Sequence, residues 1–277
     1  MSVERIDSKT RLFDLKFKEI WHYRDLVIMF VRRDLAATYK QSILGPLWFF
    51  IQPLLTAITY TFIFGKVAGI STDGLPKIIF YLAGITIWSY FSECFTKTAT
   101  VLKDNSALFG KVYFPRLILP LSICISALTR FGIQFLLFIG YVLYYTYVEH
   151  AIKPNLVVFA TPFLLVLIAG FGLGGGILIS SLTTRYRDLS YLITFGVQLL
   201  MFATPIIYTV DKIDPTYRNI LMLNPLSPII ETFRYAFLGI GIFSLGSLMY
   251  SFFWMIVLLF TGIVVFNKVQ KTFMDTI

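Results

Sequence analysis

Glu93, Lys97 and Arg130 stand out in this 277-residue chain because all three fall inside long apolar runs. An ionisable side chain at membrane depth is costly, so it faces protein or water rather than lipid. Glu93 and Lys97 are four residues apart and pair along one helix face; Glu93 is also the expected acidic partner of Arg130. The trio reads as a fixed buried ion pair or as a contact for a charged substrate. Reactive chemistry is otherwise scarce. His22 and His150 lie far apart with no acid or thiol cluster, so a metal site is not expected. No G-x-x-x-x-G-K-[ST] occurs, since Gly65–Lys66 and Gly110–Lys111 are each followed by valine. "GFGLGG" at Gly170–Gly175 has dinucleotide spacing but no preceding strand; Gly170/Gly174 and Gly172/Gly176 instead suit close helix packing in lipid. Cys94 and Cys124 are expected as buried, reduced thiols. The chain reads as no enzyme and binds no cofactor of its own.

A second set of residues could do recognition chemistry. Trp48, Gln52, Leu55, Thr59 and Phe62 recur at helical spacing, as do Tyr191, Phe195, Gln198 and Phe202. Aromatic rings stack on the C–H faces of sugars, and scattered amides and hydroxyls hydrogen-bond sugar hydroxyls without holding them fast. The other reading is aromatics that face lipid or pack between helices. An amide turned to lipid is penalised, and each face carries a Gln.

The elements that must carry these residues are transmembrane helices. The chain is 57% hydrophobic and 14% charged, against about 25% charged in an average soluble domain. Six apolar runs are long enough to cross a core that needs about 20 residues: Leu44–Val67, Ile78–Thr100, Leu117–Tyr147, Leu156–Thr184, Tyr191–Tyr208 and Leu248–Phe266. Lipid offers the backbone no partners, which selects helices, and none of the runs alternates as barrel strands do. The fold expected is an all-α polytopic membrane protein. With the amino terminus inside, sixteen Lys and Arg fall on the cytoplasmic side and six outside (Lys66, Lys77, Lys153, Lys212, Arg218 and Arg234), which puts both termini in the cytoplasm. The +9 net charge reflects this topology and contact with anionic membrane lipids, not nucleic acid. The charged first 40 residues do not resemble a cleavable signal, so the first span is expected to act as an uncleaved one.

Three segments lie outside the spans. Residues 1–43 carry Phe13, Phe17, Ile20, Val27, Val31 and Leu35 at helical spacing between basic residues, the pattern of an amphipathic helix in the membrane interface. Arg32, Arg33 and Lys40 close this segment. They are candidates for an anionic lipid headgroup, or ordinary positive-inside charge. The loop 101–116, "VLKDNSALFGKVYFPR", mixes charge with Leu108, Phe109, Val112, Tyr113 and Phe114, which reads equally as a docking patch or as an interfacial belt. Residues 209–246 hold Pro215, Pro225 and Pro228 among apolar residues, and Pro205 precedes them; one continuous helix is forbidden, and short re-entrant helices are expected.

"RRDLAATYKQSILGPLWFFIQPLLTAITYTFIFGKVA", "YLAGITIWSYFSECFTKTATVLKDNSALFGKVYFPRLILPL", "SSLTTRYRDLSYLITFGVQLLMFATPIIY" and "LNPLSPIIETFRYAFLG" together resemble the membrane subunit of type-2 ABC exporters, nearest the branch that exports O-antigen, teichoic acid or capsule precursors. The resemblance implies a homodimer of a six-helix domain, residues 44–277, in the cytoplasmic membrane of a bacterium. Two copies of a separate ATP-binding subunit would dock below, holding the ATP and Mg. It implies that spans one and five line the channel, through Trp48, Gln52, Thr59, Phe62, Tyr191, Phe195, Gln198 and Phe202. It assigns Lys103, Asp104, Asn105, Leu108, Phe109, Tyr113 and Phe114 to coupling with the ATPase.

The expected function is outward movement of a lipid-linked polysaccharide, driven by ATP hydrolysis in the partner. Alternatives are a drug, peptide or lipid exporter of the same superfamily, and a membrane-embedded glycan-lipid transferase, for which no water-facing catalytic acid or histidine is evident. A passive channel would need no partner.

Overall fold

The computed structural model describes residues 17–39, 43–109, 114–183 and 188–273, and every regular element among them is helical. Short helices α1 (Phe17–His22) and α2 (Arg24–Tyr39) lead into α3 (Gly45–Val67). Then come α4 (Lys77–Ala99), the short α5 (Val101–Asp104) and α6 (Ser106–Phe109), α7 (Ile118–Tyr147) and α8 (Leu156–Thr183). α9 (Leu189–Phe202), α10 (Pro215–Leu223), α11 (Ser227–Leu238) and α12 (Leu245–Phe273) complete the described chain. Five of these, α3, α4, α7, α8 and α12, are long and apolar enough to cross a membrane.

The sixth apolar run does not form a helix of spanning length. Tyr191–Tyr208 was expected to run through, yet α9 has 14 residues, or about 21 Å at an α-helical rise. It stops in the turns that follow Phe202. Pro205 lacks an N–H to continue the ladder, and Arg234 takes the carbonyls of Ile206 and Tyr208 beyond it. An alternative set of backbone partners ends the helix.

α4 is the central post. Of its apolar window 72% is buried inside the chain, against 11% for α3. Between lipid-embedded helices no hydrophobic drive operates, so close van der Waals packing must hold α4 to its neighbours. The glycines of α8 make that approach possible, and they split between two partners. A Cβ on Gly172 would fall 2.5 Å from the Cβ of Cys94, and one on Gly176 2.6 Å from the Cβ of Thr98, both on α4. A Cβ on Gly174 would meet the backbone N of Leu259 on α12 at 2.8 Å. The two interleaved i, i+4 pairs therefore seat α8 against α4 on one side and α12 on the other.

At the α4 amino-terminal end lies the proline-broken segment. Asp214 caps α10 by accepting from the Thr216 N–H at 2.9 Å, with Pro215 in the first turn. α11 is buried on nearly every residue, its charged pair Glu231 and Arg234 included. Phe233 packs tilted and Phe237 edge-on against Phe138 of α7, at centroid distances of 5.5 and 5.4 Å. Gly239 ends α11 at φ +75°, a left-handed turn that suits glycine. Hydrogen bonds bolt the segment to its neighbours. Asn224 donates to the Thr204 hydroxyl at 2.9 Å, and Tyr250 and Ser251 of α12 donate to the carbonyls of Leu223 and Pro225. Lys212 meets Asp73, in the loop after α3, at 2.8 Å.

At the other end α2 packs on the start of α7. The buried face is not quite the one the sequence spacing suggested. Val27 is buried as expected, but its companion is Phe30, while Val31 is only partly covered. Phe30 is drawn in because Phe114 fills the space beside it, with centroids 5.7 Å apart. Phe13 lies outside the described residues.

Candidate functional site

All eight residues proposed to line a path are exposed on the single chain: Trp48, Gln52, Thr59 and Phe62 on α3, and Tyr191, Phe195, Gln198 and Phe202 on α9. The sequence puts them there by helical phase. Pro53 and Ala57 occupy the opposite face of α3 and are buried, as are Ile193 and Val197 on α9. The two helices lie side by side over α4: Tyr60 of α3 donates to the Met201 sulfur of α9 at 3.6 Å and packs edge-on against Tyr81 of α4. The last stretch of α3, Thr61–Val67, is a π-helix, a geometry often found at functional sites. Lys77 donates to the Gly65 carbonyl there, and its side chain fills the place of a Gly65 Cβ. Lys77, counted above with the outer charges, is thus a helix tie.

The second constellation is charged. On α4, Lys97 meets Glu93 at 2.6 Å, and Arg130 of α7 meets the same Glu93 oxygen. The Arg130 guanidinium also sits 5.6 Å from the centroid of the Phe49 ring on α3. Lys97 keeps nearly half of its side chain open, whereas Arg130 is largely covered. α2 brings further charge: Arg33 pairs with Asp34 at 2.9 Å. Arg32 is exposed on the same helix, and Lys40 lies outside the described residues.

The loop proposed for coupling divides into anchored and open parts. Val101 and Leu102 are buried, the Leu102 N–H donates to Ser180, and Thr183 donates to the Ala99 carbonyl at 2.8 Å. Lys103 and Asp104 are exposed; Asn105 folds back to donate to the Val101 carbonyl. Lys103 reaches Ser190 at the start of α9 at 3.2 Å. Leu108 is half-buried, and Phe114 is buried against Phe30. Phe114 is therefore no part of an exposed docking patch: its ring closes the apolar space between α2 and α7. Tyr113 and the side chain of Phe109 lie outside the described residues.

Sequence reading missed a third constellation. Arg234 was counted among outer charges, yet it is 1% exposed and pairs with Glu231 at 3.3 Å. It donates to the carbonyls of Tyr208 and Ile206, and Glu231 accepts from the Ile242 N–H at 3.3 Å. Burial pushes the Glu231 carboxyl upward, while Arg234 and the Ile242 N–H hold it down. Burial likewise pushes the Tyr208 phenol up to about 12. The i, i+3 spacing of Glu231 and Arg234 within the apolar "PIIETFRYAFLG" signals the pair, but not its burial.

An all-helical bundle of apolar spans, an open polar-aromatic face and a buried charge at each half of α4 are now in place. The sequence profile of the ABC-2 type transporter family matches residues 25–238. The chain belongs to that family. It is 29% identical, over 91% of its own length and 94% of the relative's, to an O-antigen export system permease protein RfbA of Klebsiella pneumoniae. It is 28% identical to a protein of the same name from Myxococcus xanthus, over 79% of this chain and 83% of that one. This ABC-2 protein is a multi-pass protein of the inner membrane whose relatives are permeases.

Proposed function

We propose that this ABC-2 chain is the permease of an exporter for a lipid-linked, O-antigen-like polysaccharide. Two copies would enclose the path, with the amino terminus and the α5–α6 loop in the cytoplasm and a separate ATP-binding subunit hydrolysing ATP beneath. One observation supports this above all: the face that stays open on α3 and α9 is aromatic and carries an amide on each helix. Bare hydrophobes would suffice against lipid. Rings with scattered amides and hydroxyls fit a chain of sugars that must be held and passed on. The names of the relatives point the same way.

The α5–α6 loop supports a docking role because its apolar residues anchor it while Lys103 and Asp104 stay in water. Its tie to Ser190 offers a route from the motor to α9.

The test is export in cells. The chain is co-expressed with an ATP-binding subunit, and polysaccharide reaching the outer leaflet is measured with Gln52→Leu/Gln198→Leu against wild type. Loss of glycan export at normal expression is expected. Normal glycan export by the double variant, or export of a drug or peptide instead of glycan by wild type, would overturn the reading.

A further inference from the structure

We propose that Lys77 latches the outer end of α3 in its π geometry, and that Thr61–Val67 has a second, α-helical register in which Lys66 turns onto the open face. This rests on the export reading only for the meaning of that face; the two registers do not depend on it.

The segment is held by bonds that reach one residue too far for an α-helix. The Ala68 N–H donates to the Ile63 carbonyl, five residues back, at 2.8 Å. No other helix among the described residues has this geometry. The wider turn keeps Gly65 buried, in line with the buried Pro53 and Ala57. There the Gly65 carbonyl accepts from the Lys77 ammonium, and a Cβ on Gly65 would fall 2.6 Å from Lys77 Cδ. Only glycine leaves room for the lysine stem.

Each part of the latch is held against a local preference. Lys77 is the first residue of α4, the end of a helix that disfavours a cation. Thr56 and Thr59 donate to the carbonyls four residues back, whereas the buried Thr61 hydroxyl finds no partner among the described residues. Conflicts of this kind mark an element whose alternatives lie close in energy. The surroundings allow the change. α3 buries 11% of its apolar window, the least of the five spans, so turning its outer end breaks little packing. In the loop that follows, Gly69 and Gly74 stand in open space at φ +66° and +81° and can take up a one-residue slip.

The consequence is electrostatic. In an unbroken α-helix Lys66 comes seven residues after Thr59 and four after Phe62, on the same face. The π turn sets it about a quarter turn aside. Release of Lys77 therefore brings a cation to the outer end of a face of α3 that is otherwise uncharged.

The test uses the full chain in phosphatidylcholine nanodiscs, diluted with unlabelled chain. Nitroxides are placed at Lys66→Cys and at Thr216→Cys on α10, with Cys94 and Cys124 replaced by alanine, and the distance between them is read by pulsed electron resonance. One distance should dominate, with any second population at about a tenth or less. Lys77→Met removes the ammonium and Gly65→Ala evicts the stem; both should raise the same second, discrete population above half. Deleting Ile63 takes out the extra residue while leaving Gly65 inward in an α-helix. In that background the first distance should persist and Lys77→Met should no longer shift it. If neither Lys77→Met nor Gly65→Ala moves the distribution, Lys77 is no latch. Broadening without a discrete second distance means that the segment frays, and overturns the second register. So does a shift by Lys77→Met that survives the deletion. Melting of each variant checks its fold, and because the two substitutions act on different residues, either one decides if the other does not fold. No transport enters this readout: glycan export with one unchanged population defeats the latch alone, and two populations without glycan export defeat the export reading alone.

Discussion

The Arg234 guanidinium lies 4.0 Å from the centroid of the Phe80 ring, and the same side chain binds Glu231, Ile206 and Tyr208. One buried residue thus ties α11, α4 and the turn after α9 together. Removing one partner of a buried pair leaves the other uncompensated and costs about 3–5 kcal/mol. Arg234→Met should lower the unfolding temperature of the purified chain sharply, and Arg234→Lys should rescue little, because a point charge cannot serve several carbonyls and a ring at once. Arg234→Met/Glu231→Leu should regain much of the loss. A double variant no better than the single would show that the carbonyl ties, not the charge pair, carry the stability.

The glycine contacts predict a graded series. Gly262→Ala would put a Cβ 2.5 Å from the Gly174 carbonyl oxygen, and Gly174→Ala would press on the Leu259 backbone. Backbone cannot swing aside, so each should cost about 1–3 kcal/mol in thermal or denaturant unfolding. The two effects should not add, since they act on one stretch of the α8–α12 interface. Gly140→Ala on α7 meets nothing within 4 Å and should be neutral or stabilising by up to about 1 kcal/mol.

Export and stability should separate on the open face. Phe195→Ala and Gln198→Leu touch exposed side chains, so unfolding temperatures should stay near wild type while glycan export falls several-fold. If two copies meet across this face, cysteine placed at Thr59 or Phe62 should form a disulfide-linked dimer on oxidation in membranes. Efficient cross-linking instead through Phe253, on the exposed side of α12, would move the interface to the opposite side.

The loop residues predict a further separation. Lys103→Glu/Asp104→Lys reverses two exposed charges and should reduce co-purification of the ATP-binding subunit without changing the melting of the permease. Phe114→Ala empties a buried position beside Phe30 and should destabilise by about 3–5 kcal/mol. A variant at Lys103 that keeps the partner bound yet loses export would place its role in the contact with Ser190.

Legibility followed the kind of information each feature needs. α4, α7 and α8 lie within a residue or so of the expected bounds, because uninterrupted apolar composition is read directly by lipid. α9 departs from its run, since its end depends on Pro205 together with a guanidinium that binds Ile206 from 28 residues downstream. Glu93 and Lys97 could be paired from spacing alone, as an i, i+4 contact is local. Arg234 could not be moved from surface to core that way, because its burial depends on Phe80 of α4 and on Ile206 and Tyr208 of the turn after α9 converging on it from two separate segments.

The sequence by itself determined the solvent of this protein, its helical class and the phase of its helix faces, since these follow from composition and a fixed 3.6-residue turn. Tertiary structure decided which faces are closed. It turned the Gly172/Gly176 pair to α4 and the Gly170/Gly174 pair to α12, sank Phe114 beneath α2 and left Trp48 and Tyr191 open. Packing selects among equivalent apolar faces by shape, and shape complementarity exists only between elements already brought together.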